Sequence, residues 1–245
     1  MDRASIIGIL LAFSGLFLGQ VIEGANLLLI LQPAAFLIVF FGTVGAVLLQ
    51  SRLATFVRGV KMLRKVFITP EDNQKKLVRD ALMWNMTARK EGVLSLEAYL
   101  RTAKDPFIAK GLRMVIDGVK ANRIKEILDV EISSYELHQW QAVRIWESAG
   151  GYSPTVGILG AVLGLMHVME NLTDPGKLGN GIAVAFVATV YGVGLANLIY
   201  LPIAHKLKEI VLDEVQKKEF LADIFYSIAT GENSALIEER VLKYA

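Results

Sequence analysis

The chain reads as an all-α integral membrane protein, four transmembrane helices in a 2+2 arrangement around a helical cytoplasmic segment. Three observations lead there. Four apolar runs, Ala4 to Ile22, Pro33 to Leu49, Tyr152 to Met169 and Gly181 to His205, each approach the ~20 residues that cross a ~30 Å hydrocarbon core as helix. The runs are grouped, two at the start and two near the end, with a long charged segment from Gln50 to Gly151 between the pairs. Hydrophobic residues make up 53% of the chain and charged residues 20%, and the charges gather outside the runs, so the apolar fraction is not spread through one soluble core. The organisation predicted is 1–51 for the first pair of spans, 52–150 for the cytoplasmic domain, 151–205 for the second pair and 206–245 for C-terminal cytoplasmic helices.

The first run, in MDRASIIGILL and beyond, is longer than the apolar core of a secretory signal and is followed within about ten residues by a second run, so it is read as a retained span. The second opens at Pro33, where a missing amide hydrogen costs least. Orientation follows the lysines and arginines, which accumulate on the cytoplasmic side of short loops. Of 26, 18 lie between Gln50 and Gly151 and 6 after His205, whereas Glu23 to Gln32 has none. Both termini and the central segment are therefore expected in the cytoplasm, with Glu23 to Gln32 and Asn171 to Asn180 outside.

Immediately after the second span, TFVRGVKMLRKVF places apolar residues at helical spacing on a basic background. This is the pattern of an interfacial helix whose long basic side chains snorkel to the lipid headgroups. Beyond Pro70 come EDNQKKLVRDALMWNMTARKEG, LSLEAYLRTA, PFIAKGLRMVIDGV and RIKEILDVEISSYELHQWQAVRIWESAG. Each is helical in pattern, with breaks expected at Gly92, at Asp105-Pro106 and near Asn122. The last has no turn cluster from Arg123 to Ala149 and leads directly into the third span. After the fourth, KLKEIVLDEVQKKEFLADIFYSIA continues as helix in the same way.

The third and fourth spans carry small residues at spacings of three and four: Gly157, Gly160, Ala161 and Gly164, then Ala185, Ala188, Gly192 and Ala196. Such faces let helix backbones approach closely; packing within one subunit and a subunit or partner interface fit them equally well. Polar residues there are few: Ser153, Thr155, Thr189 and Asn197. A threonine in a span ordinarily bonds its own helix backbone. Pro154 and Pro202 mark the span boundaries and are candidate hinge positions.

The four spans hold no acidic residue; Glu23 and Glu170 stand just past run ends. A chain that carried ions alone would be expected to hold an ionisable group deep in a span, so a partner must supply the carrier if ions pass here. Net charge is only +2, which gives no reason to expect nucleic acid, and zero cysteines exclude disulfides and thiolate chemistry. His138, His167 and His205 form no metal-ligand spacing, and no phosphate-loop, HExxH or GxSxG pattern occurs. GGYSP has a serine but no base near it. Neither an enzyme nor a cofactor is expected.

The segment Ser153 to Leu207, SPTVGILGAVLGLMHVMENLTDPGKLGNGIAVAFVATVYGVGLANLIYLPIAHKL, and the motif ARKEGVLSLE, Ala88 to Glu97, resemble the MotA/PomA family, the A subunit of the flagellar stator, within the wider group that includes ExbB and TolQ. The resemblance covers essentially the whole chain. Two spans before the cytoplasmic segment fit the stator branch better than ExbB or TolQ, which have one.

The resemblance implies a multi-pass protein of the bacterial inner membrane. It also implies a pentamer of this chain around two copies of a MotB-like, single-span B subunit, whose transmembrane Asp carries the ion and whose periplasmic domain grips peptidoglycan. By the same analogy Pro154 and Pro202 couple ion passage to movement, Thr189 lines the ion path, and Arg89, Lys90 and Glu97 meet the rotor's switch protein. Sodium-driven relatives carry a Thr where this chain has Ala161, so protons are favoured over sodium. The tail departs from the family's usual Asn-Pro-Arg, having Asn233, Ser234 and Ala235. Two further readings stand beside this one: an ExbB/TolQ-like energiser of envelope transport with an ExbD-like partner, and a structural membrane scaffold without ion flux.

Overall fold

A computed structural model of the chain describes residues 3–24, 30–68, 74–173 and 175–232. The tail positions Asn233, Ser234 and Ala235 lie outside the described residues. Among those residues the structure is helical throughout: α1 (Arg3–Ile22), α2 (Pro33–Gln50), α3 (Leu53–Phe67), α4 (Gln74–Glu91), a 3₁₀ turn (Val93–Leu96), α5 (Glu97–Thr102), α6 (Pro106–Ile116), α7 (Ala121–Glu170), α8 (Pro175–Leu195), a π turn (Ala196–Tyr200) and α9 (Leu201–Thr230). Four helical stretches are long and apolar enough to cross a membrane, lying in α1, α2, α7 and the run from α8 into α9.

The expected breaks are found at Gly92 and at Asp105-Pro106. Gly92 takes φ +85°, a conformation other residues rarely adopt, and ends α4. Asp105 caps α6, its Oδ1 accepting from Phe107 N at 2.9 Å, with Pro106 at the first helical position, where its missing N–H is harmless. The third break falls at Gly118, φ +69°, rather than near Asn122, because a glycine free to turn left-handed ends a helix more readily than an asparagine already inside the next one. From Ala121 the chain then runs 50 residues without interruption and passes through Pro154.

The chain forms two compact units, Met1–Thr69 with Trp140–Glu209, and Pro70–Gln139 with Ile210–Ala245. In the first, α2 buries Ala35, Val39, Thr43 and Val47, a stripe at every fourth residue. Ala35 and Val39 pack on Val187 and Ala188 of α8, while Val47 joins Ile145, Ala149 and Tyr200. Phe36 meets Tyr191 edge to face at 6.1 Å. The bend at Ser51 and Arg52 leads into α3, which buries Gly59, Met62 and Val66. Gly59 O accepts from Trp146 Nε1 at 2.9 Å. The opposite face of α3 exposes Leu53, Val57 and Val60 beside Lys61 and Arg64, the apolar strip with a basic edge expected of an interfacial helix.

The second unit has its own core of Leu112, Ile124, Leu128, Leu221, Ile224 and Phe225. Trp84 of α4 stacks on Phe225 at 5.9 Å between ring centres. Lys218 lies over the rings of Phe107 at 4.3 Å and Tyr135 at 4.9 Å. Lys125 pairs with Asp223 at 2.9 Å and Lys217 with Asp105 at 3.7 Å.

Candidate functional site at the seam of α7 and α8

The small residues of α7 and α8 face one another within the chain. The helices run antiparallel: Gly164 meets Ala185, Gly160 meets Ala188, and Gly157 meets Gly192. A β-carbon at Gly157 would lie 2.8 Å from Ala188 O, one at Gly164 2.8 Å from Ala185 N, and one at Gly192 2.7 Å from Ser153 O. The neighbours are backbone atoms, which cannot rotate aside. Of the two interpretations these residues allow, packing within one subunit accounts for Gly157, Gly160, Gly164, Ala185, Ala188 and Gly192.

Which faces stay open follows from this seam. At ~3.6 residues per turn, Pro154 and Ala161 fall on the flank of α7 beside the seam, and Thr189 on the matching flank of α8; all three are half-buried. In an antiparallel pair these two flanks share one edge. Past that edge the surface is bare: Thr155, Ile158 and Val162 of α7, with Ile182, Phe186 and Val193 of α8, all exposed. Phe186 is 71% exposed, the most of the large apolar side chains on this face. The other side of α8 is covered by α2. Among the described residues the open face carries no ionisable side chain, and its hydroxyls are Thr155 and, at the edge, Thr189.

Both threonines satisfy themselves locally. Thr189 Oγ1 donates to Ala185 O at 3.4 Å and Thr155 Oγ1 to Tyr152 O at 2.8 Å, as hydroxyls on helices ordinarily do. Each oxygen keeps acceptor capacity toward the open face. The fourth span holds a feature the sequence reading did not anticipate. Pro202 has no amide hydrogen to give the preceding turn, and there the helix widens, with Leu201 N donating to Ala196 O, five residues back. Such π turns cluster at functional positions. Pro202 itself is exposed.

In the second unit, Arg89 and Lys90 close α4 and Glu97 opens α5, on either side of the Gly92 turn. All three are exposed. The turn is held by Thr87 Oγ1 and Tyr99 OH, 3.2 Å apart, and by fully buried Leu96. Glu97 also pairs with Arg101 at 3.6 Å. The trio and the α7–α8 edge belong to different units.

Residues 100–219 match the family described as the MotA/TolQ/ExbB proton channel family, and residues 6–91 match the motility protein A N-terminal family. Motility protein A of Bacillus subtilis is 34% identical over 249 residues, covering 100% of this chain and 91% of that protein. The chain belongs to the motility protein A family. Among solved structures, MotAB of C. jejuni superposes with a TM-score of 0.94 at 27% identity, over 100% of this chain and 96% of that one. The flagellar MotAB stator complex of Bacillus subtilis does so at 0.90 and 33%, over 99% and 96%. With four membrane-length helices, this member of the motility protein A family is an integral membrane protein.

Pro154, Ala161, Thr189 and Pro202 carry roles in the sequence, whereas Thr155 stands there only as one of the few polar residues of the spans, with no role assigned. Its signal was its place directly after Pro154, at a position that helical rotation puts on the open face. The widened turn before Pro202 left no signal beyond the proline.

Proposed function

We propose that this chain is the A subunit of a flagellar stator in the bacterial inner membrane, where it converts ion flow into torque. The full-length likeness to the MotAB stator complex, at 33% identity, carries this reading. In it, the four spans form the 2+2 arrangement with both termini cytoplasmic, and copies of the chain, a pentamer in the family's pattern, surround a MotB-like partner. The open α7–α8 face turns toward that partner. It offers hydroxyls and apolar surface but no carboxylate, which fits a division of labour in which the partner's transmembrane Asp binds the ion.

Binding neutralises a charge that is costly in the membrane, and the neutral helix can shift along a smooth apolar face. Release restores the charge and its preference for a polar niche. Thr155 and Thr189 would supply that niche. Pro154 and the widened turn before Pro202 would let α7 and the α8–α9 run flex with each ion. Ala161 at the edge offers no hydroxyl to replace the hydration of sodium, so the translocated ion is the proton. Arg89, Lys90 and Glu97, exposed around the Gly92 turn, would pass torque to the rotor's switch protein through salt-screened contacts.

The match over residues 6–91 to the motility protein A N-terminal family favours the stator over an ExbB/TolQ-like energiser. Purification in mild detergent from native expression, followed by mass spectrometry, tests this. A single-span partner with an Asp in its span and a peptidoglycan-binding domain is expected; an ExbD-like partner without that domain would move the protein to envelope transport.

A further inference from the structure

We propose that a crevice between the start of α1, the end of α3 and the π turn binds one anionic phospholipid, its phosphate on Lys206 and an acyl chain along α1. The crevice encloses about 350 Å³, within the size range of ligand pockets. Its walls are apolar, with Gly8, Ile9 and Ala12 of α1, Phe67 of α3, and Leu198 and Ile203 on the far side. One end is cationic, where Lys206 Nζ donates to Ser5 Oγ. No aspartate or glutamate is among the lining residues. The site therefore has the two-part character of an amphiphile: a cation and a hydroxyl at one end and, apart from Asn197, hydrocarbon along the rest.

The bilayer is what can fill it. No residue in the apolar window of α1 is fully buried inside its own chain, so the crevice that α1 forms with α3 and the π turn lies beside a helix open to the bilayer. An unfilled gap forfeits dispersion contacts on every wall, and hydrocarbon is the solvent available there. Position settles the polar end. Lys206 directly follows the fourth apolar run, and α3, whose Val66 and Phe67 also line the crevice, starts after only Ser51 and Arg52 from the end of α2. That helix exposes Lys61 and Arg64, so the surrounding surface favours an anionic headgroup over a zwitterionic one. A lysine serves phosphate as a point charge.

Pro202 and the π-turn residues Asn197, Leu198 and Ile199 line the same crevice. A bound lipid therefore packs against the widened turn and biases whichever of its arrangements it fits better. This consequence for coupling rests on the stator reading; the binding itself does not.

The test uses the full chain in the complex it forms, delipidated in detergent, with native mass spectrometry after adding phosphatidylglycerol or phosphatidylcholine at equal concentration. Both lipids carry the phosphate and differ in net charge, so wild type is expected to retain phosphatidylglycerol about fivefold better, the scale of one basic side chain beside an anionic lipid. Lys206→Gln should reduce the preference and Lys206→Arg keep it. Gly8→Leu, whose first side-chain atom meets open space, should fill the crevice and lower retention of both lipids. Equal retention of the two lipids by wild type, a preference undiminished in Lys206→Gln, displacement by inorganic phosphate, or no retained lipid because a neighbouring subunit fills the gap would each overturn the proposal. Because lipid retention is read rather than ion flux or swimming, failure of the stator reading would leave these outcomes unchanged.

Discussion

Gly192 and Gly194 lie two residues apart on α8 and differ in what a methyl group would meet. At Gly192 an added β-carbon falls 2.7 Å from Ser153 O and 2.9 Å from Gly157 Cα, whereas at Gly194 nothing lies within 4 Å. Ordinary contact begins near 3.4 Å, so Gly192→Ala must drive two backbones apart by about 0.7 Å. Overpacking of this kind costs about 1–3 kcal/mol. Both substitutions gain the same ~1 kcal/mol of helix propensity from alanine. That gain leaves Gly194→Ala modestly stabilised and Gly192→Ala neutral to destabilised by ~2 kcal/mol. The difference between the two variants, about 1–3 kcal/mol or roughly 5- to 150-fold in the unfolding equilibrium, is the quantity to measure, by equilibrium unfolding of the purified chain in mixed micelles. Equal stabilities would refute the claim that the α7–α8 seam is close-packed within one subunit and return these glycines to an intersubunit role.

A methyl at Gly111 would enter the van der Waals envelope of the Phe225 ring, which is pinned against Trp84; Gly111→Ala should destabilise the second unit by about 1–3 kcal/mol, read as a lowered thermal midpoint of the tryptophan signal. Charge reversal at Arg89 or Glu97 should abolish or slow swimming while changing stability by no more than ~0.5 kcal/mol, since both side chains are exposed; normal motility of a reversed variant would remove that residue from the rotor contact. Ala161→Thr should introduce a sodium dependence of swimming speed, and an unchanged response to external sodium would show that this position does not select the ion. Replacing Trp146 by Phe removes the bond to Gly59 O and should loosen α3 by about 1 kcal/mol, seen as faster amide exchange along that helix.

The elements were readable because their signals are local. Four apolar runs of span length, the Asp105-Pro106 cap and the Gly92 turn each depend on a few neighbouring residues, and each was found where the pattern put it. Gly118 displaced the break expected near Asn122 for an equally local reason, its tolerance of positive φ. The small-residue stripes were legible as faces but not as partners. Spacing says that a face permits close approach and cannot say what approaches it.

The sequence by itself determined a helical membrane protein with an apolar second pair of spans, no intramembrane carboxylate, and a charged helical segment between the pairs, since length, hydropathy and charge placement are properties of the chain alone. Only the tertiary structure decided that Gly157, Gly160, Gly164 and Gly192 are used up inside the subunit, that Thr155 and Thr189 border the face left open, and that the helix widens before Pro202. Each of these depends on rotation about a helix axis relative to a neighbour. That rotation is set by backbone contacts across the seam, which no single stretch of sequence contains.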